Sequence, residues 1–370
     1  KNAIAKKILV TGNGRCNYWH EPLTISSYYT DNEKNLIKIL NHSADVFNQL
    51  SLFGIVPKNK DGYLYPLSNQ ASSIRDMFNY QLTKRNISTI CYFKVESITK
   101  DGDLFIIKSN TEVIKCDKVI VAVGSNAGSR EEDNTIYDIL KEFGHTINAP
   151  YPSLTPLIVE GAKKYNWSGI RTDAILTLVS DYKIVREERG ELQLVNDGIS
   201  GIVTFNISGY VSRELAKNHE ITVRINFLPD IKDVKRFLDE RNSILGNVTM
   251  NELLNSLINY KLAGLLLHLS HIDGNSLYQS LTDKQLSWLI NNINNFECHI
   301  LDTADYSRAQ VCTGGVSLAE INPLTMESIV VPGLYITGEI LDVDGLCGGY
   351  NLAFAFITGY LAGDGVSCSE

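Results

Sequence analysis

Residues 331–363 read VPGLYITGEILDVDGLCGGYNLAFAFITGYLAG, and this stretch decides the fold that we expect. The apolar run at 334–337 predicts a buried strand, which ends at Gly338 and Glu339. Residues 352–361 are apolar on every face of a helix, so they predict a buried helix, and Asn351 is placed to cap its start. The stretch therefore predicts a strand, a turn and a helix in direct succession.

The turn between this strand and this helix is rich in glycine and in carboxylates. Gly348 and Gly349 stand directly before the helix, where free N–H groups and the positive end of the helix dipole attract an electron-rich ligand. Glu339, Asp342 and Asp344 could accept hydrogen bonds from ligand hydroxyls. The pattern predicts a ligand-binding turn, and a purely structural glycine turn is the alternative.

Two other interpretations of this stretch fail on spacing. Asp342 and Asp344 resemble the start of a calcium loop, but the sixth and twelfth positions hold Cys347 and Ala353 instead of glycine and glutamate. The apolar helix is also shorter than the roughly 20 residues that span a bilayer. We therefore expect neither calcium binding nor a membrane partner from this segment.

The segment TGNGRCN at 11–17 is the second glycine-rich turn of interest. The apolar residues 8–10 before it predict a short strand, and Gly12 and Gly14 permit unusual backbone angles. Arg15 adds a forked donor for a phosphate or an anionic ring, although a tight turn with a surface arginine is the alternative. Cys16 is a candidate redox thiol by position, and a buried, inert cysteine is the favoured interpretation.

Three long segments carry a resemblance to a known family. TGNGRCN at 11–17, TGGVSLAEINPLTMES at 313–328 and TGEILDVDG with CGGYNLAFAFITG at 337–359 appear in the family's order. The chain resembles the bacterial NAD(P)/FAD-dependent oxidoreductases, a group of flavoproteins with BaiN-like (bile-acid dehydro-reductase-like) and aminoacetone-oxidase-like members. The resemblance implies FAD as the cofactor, with NAD(P)H as a possible electron donor.

The resemblance also implies which residues hold the cofactor. The helix near Asn351 would aim its N-terminus at the pyrimidine edge of the flavin, and Glu339 would face the ribityl or pyrophosphate hydroxyls. Tyr350 is the nearest proton-bearing side chain, although a packed tyrosine is the favoured interpretation, so no catalytic residue is assigned. The implied cofactor-binding residues are Thr11, Gly12, Gly14, Arg15, Cys16, Asn17, Val95, Gly124, Gly314, Gly338, Glu339, Gly348, Gly349, Asn351 and Leu352.

The family implies a βαβ unit of about 30 residues with a G-x-G-x-x-G turn before the segment that opens this sequence. Neither the unit nor its glycine turn is in the sequence. We therefore expect the chain to be N-terminally truncated and to lack the first βαβ unit of a Rossmann-like domain.

The remainder of the first half alternates between helical and β patterns. Residues 31–53 and 70–85 have helical periodicity, and residues 87–98 are rich in β formers. The run KVIVAV at 118–123 predicts the central strand of a parallel sheet, and Gly124 opens the turn that closes it at 128. Further strands are predicted at 104–108 and 113–115.

Prolines at 148–156 mark a domain edge. Residues 157–227 alternate between apolar and polar side chains, as the strands of a barrel or sandwich do. Residues 230–295 have a helical pattern, and a leucine stripe at 253–266 predicts helix packing. Residues 300–309 return to the first domain. We predict an α/β fold in which a Rossmann-like FAD-binding domain (1–149 and 300–370) is interrupted by a β-barrel-like insert (150–229) and a helical insert (230–299).

Composition limits the function classes. The chain has 370 residues and a net charge of −8, which argues against nucleic acid as a partner. The seven cysteines are scattered and form no C-x-x-C motif, which predicts a protein without disulfides or a metal site. Together with the absence of a signal-peptide pattern, this predicts a cytoplasmic protein. We predict an FAD-dependent oxidoreductase of a small organic substrate, its oligomeric state left open. A flavin-deficient binding module is the alternative, and a flavin-dependent RNA-modifying enzyme is disfavoured by the charge.

Overall fold

The structure is a computed structural model that describes residues 3–368, without the side chain of Cys368. Its contacts divide the chain into two compact units. The first unit comprises the chain up to Pro150 and again from Val311 onward, and the second unit comprises Tyr151–Gln310. All the residues predicted to bind the cofactor belong to the first unit.

The first unit is a mixed α/β assembly with one hydrophobic core. Its helices are Glu33–Leu40, Ser43–Leu52, Ala71–Lys84, Thr135–Glu142 and the terminal helix Tyr350–Cys368, with 3₁₀ turns at Lys6–Gly14, Ile25–Ser27, Leu318–Glu320 and Gly338–Ile340. Its strands are Trp19–His20, Tyr28–Tyr29, Pro57–Lys60, Tyr63–Pro66, Ser97–Asp101, Leu104–Lys108, Val113–Cys116, Val119–Val121, Ile147–Ser153 (which leads into the second unit), Val311–Val316, Leu334–Ile336 and Asp344–Gly345.

Strand Leu334–Ile336 pairs in parallel with Val119–Val121, and its three residues are fully buried. This confirms both apolar strands and the parallel character of the sheet at 119–121. The prediction that 118–123 is the centre of a sheet is wrong within residues 3–368, because the described sheet has only these two strands. Consistent with this edge position, Ile120 is 44% exposed.

The terminal helix follows the turn as predicted. Phe354, Ile357 and Leu361 are buried, and the hydroxyl of Thr358 accepts a hydrogen bond of 3.0 Å from the backbone N–H of Gly338. Helix and strand end are therefore joined both by apolar packing and by a polar contact. Among the residues that the structure describes, no helix combines the length and apolar character that a membrane span requires.

Three local predictions in the first unit are wrong. Residues 8–10 form part of the 3₁₀ segment Lys6–Gly14 instead of a strand, because no partner strand lies beside them in the described chain and Val10 is 76% exposed. The helix predicted at 31–53 breaks at Asn41 and His42, two residues with low helix propensity. The region 87–98 has no strand before Ser97, and its residues 87–92 are all exposed.

The second unit contains a closed barrel of six strands, which confirms the predicted barrel. Burial alternates along Arg171–Ser180, where Ala174, Leu176 and Leu178 are fully buried inside. Around the barrel the strands are Leu157–Val159, Gly198–Ser200, Lys183–Val195, Arg171–Ser180, Ile221–Asn226 and Phe296–Thr303.

A helix at Ile202–Ala216 interrupts the region predicted to be β throughout. Its sequence is rich in β-branched residues and alternates locally, so the pattern predicted strands. The structure instead buries Val203, Ile207 and Val211, which are spaced four residues apart along one helix face. Burial of this stripe against the barrel strands Lys183–Val195 and Arg171–Ser180 overrides the weak helix propensity of the residues.

The remaining helices of this unit are Val234–Leu245, Met250–Asn255, Tyr260–Leu269 and Asp283–Asn294. The helix predicted over 250–269 is two helices, and Asn259 caps the second by accepting the backbone N–H of Lys261 at 3.0 Å. The leucine stripe packs as predicted, and the structure shows that it shares one core with the barrel. Because Phe296–Thr303 completes the barrel, the chain returns to the first unit after Gln310, later than the expected position. The finer division at 149, 229 and 299 stays a prediction.

Candidate functional site

The turn before the terminal helix is built around two glycines with positive φ, Gly348 at 133° and Gly349 at 96°. A Cβ on Gly349 would lie 2.6 Å from the backbone oxygen of Trp19 and 2.7 Å from Oδ1 of Asn17. A Cβ on Gly348 would lie 2.6 Å from the ring of Tyr63. The structure thus brings the predicted residues Asn17, Gly348 and Gly349 together, in a packing that only glycine permits.

Asn351 has a different role from the predicted helix cap. It lies inside the terminal helix, and its side chain contacts the backbone of Gly345 twice: Oδ1 accepts from the N–H and Nδ2 donates to the carbonyl, both at 2.8 Å. The predicted cap is therefore wrong. Asn351 instead fixes the loop that leads into the glycine turn, and the adjacent Leu352 is partly buried at the start of the helix.

Two buried polar atoms in the family segments 11–17 and 313–328 have no hydrogen-bond partner within residues 3–368. One is Oδ1 of Asn17, next to Gly349, and the other is the hydroxyl of Thr313, a fully buried residue in the TGGV segment. A buried polar atom without a partner costs about 1–3 kcal/mol, and native proteins contain few of them. Both atoms lie in segments of the family resemblance, and a ligand bound there would complete them.

Gly314 and the neighbouring Gly315 serve close backbone packing. A Cβ on Gly314 would overlap the carbonyl of Ala149, and one on Gly315 would overlap the carbonyl of Ile340. Both have positive φ, at 82° and 134°. The glycines thus hold strand Val311–Val316 between its neighbours, and a direct ligand contact at Gly314 stays a prediction.

Glu339 lies at the end of strand Leu334–Ile336, at the start of the 3₁₀ turn that begins with Gly338, whose φ is 74°. Its Oε1 accepts hydrogen bonds from the Ser125 hydroxyl and from the backbone N–H of Cys312, the latter at 3.0 Å. A Cβ on Gly124 would lie 3.6 Å from its other oxygen. The predicted residues Gly124 and Glu339 are therefore adjacent.

Burial raises the pKa of Glu339 above its usual range, although the hydrogen bond from Ser125 and the charge of Lys7 oppose that shift. The Lys7 amine itself donates to the backbone oxygen of Ser125 at 3.0 Å. The fold thus keeps Glu339 in a position where burial disfavours its charged form. Acidic side chains with raised pKa values are frequent at binding and catalytic sites.

This raised pKa predicts a pH-dependent stability. Glu339 binds its proton more tightly in the folded than in the unfolded chain, so its contribution to stability is present below the ordinary pKa and is lost as the pH rises through the raised one. We expect Glu339→Gln without cofactor to unfold at a higher temperature than the wild type at about pH 8 and at the same temperature at about pH 4. Thermal unfolding at both pH values measures this. A variant that is less stable at pH 8 would contradict it.

The segment 11–17 forms a tight loop in which the residues have unequal roles. The backbone N–H of Cys16 donates to Thr11 at 3.0 Å, and a Cβ on Gly12 would lie 3.0 Å from the backbone nitrogen of Asn17. Burial raises the pKa of the Cys16 thiol to about 11, which supports the inert interpretation. Arg15 and Gly14 are exposed, and a contact of either residue with a cofactor stays a prediction.

Val95 is partly buried and lies outside any strand. The preceding residue, Lys94, forms an ion pair of 3.0 Å with Asp133, whose backbone N–H donates to Asn126 at 2.9 Å. Asn126 belongs to the turn that Gly124 opens, and Val95 itself packs against the core of the first unit. A contact between Val95 and the adenine end of a cofactor stays a prediction.

Three aromatic side chains beside the turn were missed by the sequence analysis. The ring of His20 stacks on Tyr350 at 4.5 Å and meets the edge of Tyr63 at 4.9 Å. The Tyr28 hydroxyl donates to the backbone oxygen of Tyr350 at 3.0 Å. Tyr350 is 8% exposed, in line with a packed role. The alternating side chains of residues 63–66 are a signal that could have identified this strand. Nothing in the sequence shows that the strand lies beside the glycine turn.

Neither metal ligands nor disulfides form part of the site. Among residues 3–368, no three His, Cys, Asp or Glu side chains are grouped so as to hold a metal ion. The cysteines whose side chains the structure describes are free: Cys16, Cys91, Cys116, Cys298, Cys312 and Cys347.

Comparison with known proteins gives consistent matches over almost the whole chain. A family model described as "HI0933-like protein Rossmann domain" matches residues 1–365. The chain is 35% identical to a 3-dehydro-bile acid delta(4,6)-reductase of Clostridium scindens, over 98% of this chain and 90% of that protein. It is 28% identical to a ribosomal RNA dihydrouridine synthase of Escherichia coli, over 95% and 86%, and 26% identical to one of Haemophilus influenzae, over 96% and 88%. These matches do not show a truncation, so the expected first βαβ unit stays a prediction.

Proposed function

We propose that this chain, which belongs to the HI0933-like Rossmann-domain family, is an FAD-dependent oxidoreductase that reduces a small organic substrate with NAD(P)H as the electron donor. The observation that carries the proposal is the unpartnered Oδ1 of Asn17 beside the positive-φ turn at Gly349. The acidic composition and the scattered free cysteines support a cytoplasmic location as part of the proposal.

The residues present fit FAD at two points. At the turn, Oδ1 of Asn17 offers an acceptor, and the ring system of a flavin carries an N–H that can meet it. At the second point, Glu339 beside Gly124 offers a carboxylate to ribityl or ribose hydroxyls. When bound, FAD would supply the two-electron chemistry, which no side chain of the protein can perform.

The chain's own residues would bind and orient the cofactor and keep water away from it. The N-terminus of the terminal helix, fixed by Asn351, favours negative charge by about 0.3–1 kcal/mol and up to about 2 kcal/mol where it is partly buried. The rings of His20, Tyr63 and Tyr350 cover the other side of the glycine turn and limit solvent access. We assign no catalytic residue.

The names of the relatives support a reaction class. A delta(4,6)-reductase and a dihydrouridine synthase both add hydrogen across a carbon–carbon double bond. We propose the same class here: NAD(P)H and one proton are consumed, NAD(P)⁺ is released, and the substrate gains one hydrogen on each of two carbons. The relative with 35% identity favours a small alicyclic enone over a nucleic acid as the substrate.

The test is anaerobic turnover by the FAD-loaded protein with a 3-oxo-4-ene bile acid and either NADH or NADPH. We expect one nicotinamide oxidised for each double bond reduced, with the product identified by mass spectrometry. FAD-loaded protein that oxidises nicotinamide without reducing the enone would overturn the substrate class. Protein that binds no FAD and converts nothing would favour the alternative of a non-catalytic binding module.

Ribosomal RNA is a second candidate substrate, because two relatives carry the name ribosomal RNA dihydrouridine synthase. The net charge of −8 disfavours it, since RNA binding depends on basic surface. Incubation with unmodified ribosomal RNA and NADPH tests it by nucleoside mass spectrometry. Dihydrouridine formed in this reaction, together with no reduction of the enone, would replace the first candidate with this one.

A further inference from the structure

A small sheet beside the glycine turn presents an outer surface that begins at the proposed cofactor site and extends beyond it. Strands Pro57–Lys60 and Tyr63–Pro66 form a hairpin, and Trp19–His20 pairs with its second strand. Leu64 is buried beneath this sheet at 1% exposure. The alternate residues point outward, and we define the aromatic face by five of them: His20, Lys58, Lys60, Tyr63 and Tyr65.

The register of the sheet fixes how these side chains are arranged. Tyr63 lies opposite both His20 and Lys60, and Tyr65 lies opposite Lys58. Residues directly opposite each other in antiparallel strands have Cβ atoms about 5 Å apart on the same side. Each of the two tyrosines is therefore paired with a lysine across the hairpin.

The aromatic face continues directly into the glycine turn. The Tyr63 ring lies against Gly348, and the His20 ring stacks on Tyr350, the first residue of the terminal helix. Burial raises the pKa of Tyr63, so the phenol stays neutral at ordinary pH. A flat molecule that reaches the turn would therefore pass over the Tyr63 ring, with which alicyclic and aromatic bodies pack well.

The two lysines differ in their electrostatic surroundings. Both are exposed, and neither has an ion-pair or hydrogen-bond partner among the residues that the structure describes. The acidic side chains nearby, Glu21 and Asp61, belong to the end of the hairpin next to Lys60, where the Glu21 N–H donates to the backbone oxygen of Gly62 at 2.9 Å. Lys58 is two residues farther from this end, opposite Tyr65.

We propose that the aromatic face binds the apolar body of a small substrate and that Lys58 binds a carboxylate at the substrate's far end. This assignment rests on the proposed function, since the reacting bond would lie at the glycine turn. From Tyr63 to Lys58 the path is about 7 Å along the strand and about 5 Å across the hairpin. The substrate is therefore a fused-ring or similarly extended acid, because a short acid such as a 2-oxo acid would not span this distance.

The test uses 1-pyrenebutyrate, a fluorescent fused-ring carboxylate, and its neutral methyl ester as probes for FAD-loaded protein. We expect the wild type to bind the acid about fivefold to tenfold more tightly than the ester, as one charge-assisted contact at a partly wet surface allows. Lys58→Gln should remove this preference, and Lys58→Arg should keep it. Lys115→Gln, an exposed lysine on strand Val113–Cys116, is the matched control and should change nothing. Tyr65→Leu should weaken both probes equally.

Equal binding of acid and ester by the wild type would overturn the proposal, as would an unchanged preference in Lys58→Gln. Tighter binding of a uridine-rich single-stranded RNA, lost in the Lys58→Gln variant, would also overturn it and would assign the face to RNA. Flavin content is measured on the same samples. If FAD does not bind, the proposed function fails, while the comparison of acid and ester still decides the role of the face.

Discussion

Replacing Gly349 with valine is expected to abolish stable FAD binding. The backbone at Gly349 has φ at 96°, where a β-branched residue is strained by more than the roughly 1–2 kcal/mol of an ordinary side chain. The new Cβ would also lie 2.6 Å from the backbone oxygen of Trp19, which cannot move without shifting its strand. The turn would open, and we expect FAD affinity to fall by at least about 100-fold, or roughly 2.7 kcal/mol.

The structure changes what this substitution tests. The sequence alone suggests a more negative flavin potential by tens of millivolts, because the helix N-terminus would move away from the ring. The overlap with Trp19 makes loss of the flavin the expected result instead.

Fluorescence titration with FAD measures the FAD affinity of the wild type, Gly349→Val and Gly359→Ala. Gly359 is the control, since it lies in the same helix with open space around its Cβ position, and alanine should stabilise the helix by about 0.5–1 kcal/mol. Normal FAD affinity in Gly349→Val would remove the turn from the site.

Asn17→Leu is expected to weaken FAD binding by about tenfold to 100-fold without lowering the stability of the cofactor-free protein. In most positions such a change breaks hydrogen bonds, but Oδ1 of Asn17 has none within the described chain. Its loss should therefore leave the unfolding temperature unchanged or slightly raised. In the FAD complex of the variant, the cofactor group that would donate a hydrogen bond to Oδ1 of Asn17 is buried without a partner. This costs about 1–3 kcal/mol.

Asn35→Leu is the matched control for this variant. Asn35 is a partly buried asparagine whose side chain is used, since Nδ2 donates to the backbone oxygen of Leu318 at 3.0 Å. We expect it to lose stability and to keep its FAD affinity, the opposite of Asn17→Leu. Thermal unfolding without cofactor and FAD titration measure both quantities. If Asn17→Leu loses as much stability as Asn35→Leu and binds FAD normally, Asn17 is a structural residue.

The strand, the glycine turn and the terminal helix were predictable because their signals are local. An apolar run, paired glycines and a continuous apolar stretch specify strand 334–336, the turn and the helix without information from distant residues. The barrel was predictable for the same reason, since burial alternates along each long strand.

The errors have a common cause in long-range packing. The helix Ile202–Ala216 forms from β-branched residues because one face is buried against the barrel strands, which local propensity does not reveal. Asn351 has the residue type of a helix cap, but its side chain forms hydrogen bonds with the backbone of Gly345 instead. Residues 8–10 have the composition of a strand and no strand beside them in the described chain.

The contacts that define the candidate site are also the ones that sequence reasoning does not reach. Asn17 and Gly349 were both assigned to the cofactor through separate segments, and only the structure shows that they touch. His20 and Tyr63 belong to no segment of the resemblance, yet their rings lie on Tyr350 and Gly348. A pairing between strands and a turn from distant parts of the chain depends on the folded topology as a whole.

The central claim is that FAD binds at the turn where Asn17 meets Gly349. The most direct test is the visible absorption spectrum of the protein, purified from its complete reading frame, supplied with FAD and passed through a desalting column. The account predicts that the bands of oxidised flavin elute with the wild-type protein in a ratio near one FAD per chain, and that they do not elute with Gly349→Val. A wild-type protein that leaves the column colourless, or a Gly349→Val protein as yellow as the wild type, would contradict it.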